Sequence, residues 1–184
     1  MKKARSIGLF ILSVLFINAS FAQMEKTVLV GGAAMYPSKN IIENAVNSED
    51  HTTLVAAVKA AGLVETLSGE GPFTVFAPVN TAFDMLPKGT VETLLKPENK
   101  ATLSGILTYH VVPGRLDSKE LTDKIKEGKG TATLTTVAGG KLWVMKKGNK
   151  LMVKDEKGGV ASITIKDVYQ NNGIIHVIDK VLMP

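Results

Sequence analysis

The 184-residue sequence has no cysteine. That excludes disulfides, thiolate zinc sites, thiol nucleophiles and a lipidated N-terminal cysteine, so the folded chain must be held together by packing. Arg5 and Arg115 are the only arginines, and aromatic residues make up 5%. Base stacking and bidentate phosphate readout therefore have little to work with, and nucleic acid is not expected as a partner. The three histidines, His51, His110 and His176, show no His-x-x-x-His or His-Glu-x-x-His spacing, so the zinc signature is missing. No Gly-x-Ser-x-Gly elbow occurs: "LSGEG" sets glycines near Ser68 without the pattern. "VGGAA" at Val30 to Ala34 is too short for a dinucleotide loop. No Asp/Glu pair stands out from the solvated charges. The expectation is a non-enzymatic protein with no catalytic residue, metal or cofactor.

What is present starts with a leader pattern. Lys2, Lys3 and Arg5 precede an uncharged apolar run, Ile7 to Ile17, and a small-x-small exit at Ser20-Phe21-Ala22. This predicts a signal peptide over 1–22, cleaved before Gln23. The apolar run is shorter than the roughly 20 residues that cross a bilayer, so membrane contact is expected only through the leader. A secreted or periplasmic, soluble mature protein follows. Loss of the leader's three cations lowers the formal net charge from +5 to +2. Lys141, Lys146, Lys147, Lys150, Lys154 and Lys157 cluster, but they alternate with apolar and turn residues. They read as a solvated strand face in preference to a nucleic-acid patch.

The remaining chain, 45% hydrophobic, suits one domain. Residues 23–36 are expected to be an N-terminal connector with a strand-like piece at Thr27 to Val30, and 37–184 the domain. Ser38 is placed to cap a first helix with a stripe of Ile41, Ile42, Ala45 and Val46. A second helix carries Leu54, Val55, Val58 and Ala61 and stops at Gly62, with His51 at its exposed start. "GPFTVFAP" reads as a strand ended by Pro78, and Asn80 as the cap of a short helix containing Ala82, Phe83 and Leu86. Another helix runs from Thr90 to the region of Pro97. In "ENKATLSGILTYH", Leu103, Ile106, Leu107 and His110 fall at i, i+3, i+4 and i+7, so the imidazole continues a buried stripe. From Leu134 onward strands follow one another with turns at Gly148-Asn149, Gly158-Gly159 and Asn171-Asn172-Gly173. Helices first and antiparallel strands later indicate an α+β domain, with no internal repeat.

Three blocks carry a resemblance. "GPFTVFAPVNTAF" resembles the first signature of the fasciclin-type (FAS1) domain, "LTYHVVPGRL" its Tyr-His segment, and "NGIIHVIDKVLMP" its closing signature. The resemblance implies a wedge-like antiparallel β-sandwich flanked by a set of helices. It also implies a class of exported modules associated with adhesion, matrix contacts and protein interaction. In some animal members the Tyr-His pair and its aliphatic flanks are implicated in integrin binding. The matching positions are Tyr109 and His110, flanked by Ile106, Leu107, Val111 and Val112. The structural motif residues are Phe76, Pro78, Asn80, Thr81 and Phe83 in the first block and His176 and Asp179 in the last.

Two roles for His110 follow. A buried neutral imidazole needs hydrogen-bond partners, and the family's architecture implies Asn80 and Thr81 for them. A metal reading would recruit His176 with Asp84 or Asp179, and it is the weaker one. The leading function is an exported interaction module presenting a surface around Tyr109 to a protein or polysaccharide at the cell surface or in the matrix. The alternative is a small-molecule or lipid carrier with a groove between helices and sandwich. A hydrolase ranks last. No oligomeric state follows from the sequence.

Overall fold

The computed structural model describes residues 26–184. The leader expected over 1–22 and the first residues of the connector lie outside the described residues. Strands β1 (Val28–Val30) and β2 (Ala33–Met35) form a hairpin through Gly31-Gly32. A Cβ on Gly31 would sit 2.4 Å from the Ser48 hydroxyl and 2.5 Å from the Asp50 amide, so only glycine fits there. Val30 and Met35 are buried in the main core. The segment expected as a connector is thus part of the domain, because its alternating apolar residues have a face to fill.

Three helices follow: α1 (Ile41–Ala45), α2 (Thr52–Ala61) and α3 (Val64–Ser68). Asn40, and not Ser38, caps α1. Its side chain accepts from the Glu43 amide while the Glu43 carboxylate accepts from the Asn40 amide, a reciprocal box that Ser38 lies too far upstream to make. Gly62 ends α2 in the left-handed conformation, as its sequence position predicted. Strand β3 (Phe73–Pro78) leads into α4 (Asn80–Asp84), α5 (Thr90–Leu94), α6 (Lys100–Tyr109) and β4 (Val111–Pro113). Helix α7 (Ser118–Glu127) then precedes β5 (Thr131–Thr135), β6 (Lys141–Lys147), β7 (Lys150–Lys154), β8 (Val160–Gln170) and β9 (Gly173–Ile178).

Seven strands form one sheet in the order β4-β3-β9-β8-β7-β6-β5. The expectation of antiparallel pairing holds at every step except one: β3 and β9 run parallel, Phe73 opposite Gly173 through to Pro78 opposite Ile178. Both strands are covered on two faces, and a strand buried on both sides reads as a continuous apolar run such as "IIHVI". Strand β8 spans the bend of the wedge, with register shifts between Ile163 and Ile165 and between Ile165 and Val168. Such bulges bend a strand and redirect its side chains.

Two cores result. Val75 and Ala77 of β3, with Ile175 and Val177 of β9, pack under α2 and α6. Phe76 and Ile178 point the other way, into a second core with Tyr109, Val112, Leu121, Ile125 and the inner residues of β5 to β8. The period-two alternation of the strands divides the apolar residues between the cores.

Candidate functional site

Helix α6 ends by delivering Tyr109 and His110 to the junction of the two cores. Tyr109 is 0% exposed. Its hydroxyl donates to the Lys141 carbonyl at 2.7 Å and accepts from the Glu156 amide at 3.0 Å. Burial pushes its pKa up, the Glu156 amide works against that, and the Glu156 and Asp155 charges reinforce it. Gly140 lies against the ring: a Cβ there would fall 2.6 Å from Cε2.

His110 is buried beside it. Nδ1 sits 2.8 Å from the Ile106 carbonyl, and Nε2 sits 2.9 Å from the Leu182 amide. A carbonyl can only accept and an amide N–H can only donate, so the ring is neutral with its proton on Nδ1. Burial lowers its pKa to about 4, against the Ile106 carbonyl and the Asp155 charge, which favour protonation. Buried Asp155 accepts from the Gly159 amide at 2.6 Å and from the Met183 amide at 3.0 Å. His110 and Asp155 together thus hold successive amides of the segment after β9 and seat Leu182 in the second core.

This geometry corrects two expectations. Ile106, Leu107, Val111 and Val112 are buried with Tyr109 and His110, so these six residues do not make a contact surface. Packing claims the aromatic ring because α6, β6 and the turn after β7 converge on it. Nor does His110 bond to Asn80 or Thr81. Thr81 is exposed, and Asn80 reaches the start of α2, accepting from the Thr53 amide at 3.0 Å and donating to the Glu49 carbonyl at 2.8 Å. Asn80 was expected to cap its own helix; Val79 occupies that position, and Asn80 serves the neighbouring helix instead.

The other histidines are also interior. His176 stacks on Phe76 with centroids 5.8 Å apart. Its Nε2 donates to the Leu116 carbonyl at 2.8 Å, and its Nδ1 accepts from the Asp167 amide at 3.3 Å. Burial lowers its pKa. His51, expected at an exposed helix start, is 3% exposed. A one-turn 3-10 segment, Glu49–His51, rotates it inward, where Nδ1 meets the Ser48 hydroxyl at 2.9 Å. Its Nε2 makes no hydrogen bond of good geometry. Burial is the main cause of its lowered pKa, with the Ala77 carbonyl and Asp50 working against it.

Pro78 is buried, Phe83 packs on the first core and Asp179 accepts from the Ser162 amide at 2.7 Å. Ser118 donates both its amide and its hydroxyl to Asp167, whose own amide meets His176. Serine, aspartate and histidine are therefore linked in one chain of bonds. Both imidazole nitrogens face backbone, however, so the ring has no free position from which to take the serine proton. Among the described residues no group of three or more His, Cys, Asp or Glu stands together as a metal site.

An enclosed apolar cavity of about 50 Å³ lies between α1, α2, α3 and the sheet, lined among others by Val30, Leu54, Leu67, Val75 and Ile175. It is far below the roughly 300–1,000 Å³ of pockets that bury drug-sized ligands.

Residues 49–184 match the family described as the Fasciclin domain. The chain belongs to the fasciclin domain family. It is 46% identical over 166 residues to Protein sll1483 of Synechocystis sp., covering 90% of this chain and 85% of that one. Immunogenic protein MPB70 of Mycobacterium bovis is 36% identical over 145 residues, with 76% and 66% covered. Human periostin is 31% identical over 144 residues, 78% of this chain but 16% of periostin, so the likeness is to one portion of a longer protein. Among solved structures, a FAS1 domain pair from the insect cell adhesion molecule Fasciclin I superposes with a TM-score of 0.71 at 16% identity, over 88% of this chain and 59% of that one. At that identity the likeness shows the fold alone, and the fold is the FAS1 fold.

Sequence reasoning missed Asp155, Asp167 and the whole of α7. The signal for α7 was available: Asp117 caps it by accepting from the Glu120 amide, and Leu121 and Ile125 stand at i, i+4 before Gly128. Asp155 precedes the Gly158-Gly159 turn, which marks a turn but not its partner 28 residues later.

Proposed function

We propose that this fasciclin domain is an exported, non-enzymatic interaction module that presents its outer surface to a macromolecular partner outside the cytoplasm. One observation carries the reading: the side chains that look reactive in the sequence are committed to internal backbone. Tyr109, His110, His176 and Asp155 together bind six main-chain amides or carbonyls at distant points of the chain. Groups arranged in this way rigidify a scaffold and leave nothing poised for proton or acyl transfer. The leader pattern and the domain's likeness to a cell adhesion molecule of insects support export and recognition.

The small cavity argues against the carrier reading, since about 50 Å³ does not admit a lipid chain. The test is retention of fluorescent mature protein on whole cells and on their insoluble envelope, competed by unlabelled protein. Saturable, competable retention is expected. Its absence from every cell fraction, or turnover of generic ester or glycoside substrates by the purified protein, would sink the reading.

A further inference from the structure

Helix α7 and the strands beside it enclose a polar groove of about 320 Å³. Lys119 and Lys126 stand on the helix wall, Lys146 and Lys166 on the strand wall, with Thr122 and Asn149 between them. One carboxylate lies among them. Asp123 is already paired with Lys119 at 3.2 Å and Lys126 at 3.0 Å, and neither Lys146 nor Lys166 has a carboxylate partner among the described residues. A second depression of about 420 Å³ continues from the first, sharing Asn149, Leu151 and Lys166 and adding Lys150. The charge is thus spread along a path and not gathered at a point.

The walls are fixed in place. Asp167 adopts a left-handed conformation, φ 61°, at the β8 bulge, and its carboxylate takes the amide and hydroxyl of Ser118 at the start of α7. A non-glycine residue there is strained and persists only where its surroundings hold it. The bulge sets Lys166 on the groove, and the clamp ties the opposite wall to it.

We propose that this groove binds a segment of an acidic polysaccharide. The proposal rests on the interaction-module reading above and names its partner class. Four cationic side chains attract carboxylate or sulfate groups, while the Thr122 hydroxyl and the Asn149 amide match the hydrogen-bonding of sugar hydroxyls. Other polyanions fit less well. The groove has no aromatic residue for base stacking and no arginine for bidentate phosphate contact. It has no apolar anchor of the kind that dominates protein interfaces, Leu151 being buried. A concave path also suits a linear chain better than a lipid surface.

Sodium alginate is the probe, with neutral dextran, single-stranded DNA and anionic phosphatidylglycerol vesicles alongside it, each titrated calorimetrically into the mature protein at low and physiological salt. Saturable alginate binding that weakens with salt is expected, with none to dextran. The double variant Lys146→Gln/Lys166→Gln should lose roughly tenfold in alginate affinity. Lys154→Gln/Lys157→Gln, which removes the same charge outside the groove, should change it less than about twofold. Equal losses in the two variants, no alginate binding, or equal and equally variant-sensitive binding of DNA or vesicles would overturn the proposal. Cell retention that survives Lys146→Gln/Lys166→Gln would reject the groove and leave the module reading standing. Loss of all cell retention by the unaltered protein would reject the module reading itself.

Discussion

The Tyr109–His110 junction and the lysine-walled groove beside α7 sit on opposite sides of the same second core and invert what their sequences suggest. The first has the residue types of a working site, a phenol and an imidazole side by side, yet every polar atom of the pair is turned inward onto backbone. The second reads as ordinary surface lysine, yet it assembles unpaired cations from a helix and two strands along one groove. Burial separates them. A desolvated polar group must find an internal partner and so becomes structural, whereas an exposed charge stays available to a partner from outside.

That contrast can be broken in measurable ways. His110→Ala should cost most: it leaves a void and strips the Ile106 carbonyl and Leu182 amide of their partner, about 3–5 kcal/mol and a fall in Tm of roughly 10 °C by calorimetry. An unchanged melt would show that His110 does not pin the fold.

Acid should act through the same ring. In the unfolded chain its pKa is the ordinary 6.5, and in the fold about 4. Above pH 6.5 the imidazole is neutral in both states. As pH falls from 6.5 towards 4 the unfolded chain takes up the proton first, so stability drops by about 3 kcal/mol across that window and then levels for this group. His51 and His176, lowered in the same direction, add to the slope. Urea unfolding at pH 7 and pH 4.5 measures it, and equal stabilities would contradict a neutral buried ring.

Gly140→Ala presses a methyl onto the immobile Tyr109 ring and should cost about 1–3 kcal/mol in urea unfolding. Tyr109→Phe keeps the ring and loses two hydrogen bonds to partly exposed segments, about 1 kcal/mol, with cell retention unchanged. If retention fell while the fold held, the junction would be a recognition surface after all. At the small end, Lys146→Gln/Lys166→Gln should leave Tm within about 2 °C, because exposed charges contribute little to folding. A larger loss would move the groove to the structural side of the comparison.

Much of the fold was legible along the chain. The stop at Gly62, the buried stripe of α6 and the hairpin turns after β6 and β7 depend on neighbours within a few residues, and local spacing records these. The parallel pairing of β3 with β9 was not legible, since a strand covered on both faces carries no alternation to give its direction. His51 was misplaced for a similar reason: helix periodicity put it at a solvent-facing start, and a 3-10 turn rotated it into the core.

The sequence by itself determined the family, the order of elements and the burial of the imidazole in α6, because signature blocks, caps and periodic stripes are set by short-range chemistry. Only the tertiary structure decided which backbone groups His110 and Tyr109 would satisfy, and which lysines would share a groove. Those partners lie 30 to 70 residues apart, and nothing local specifies a contact that exists only once two cores have closed around it.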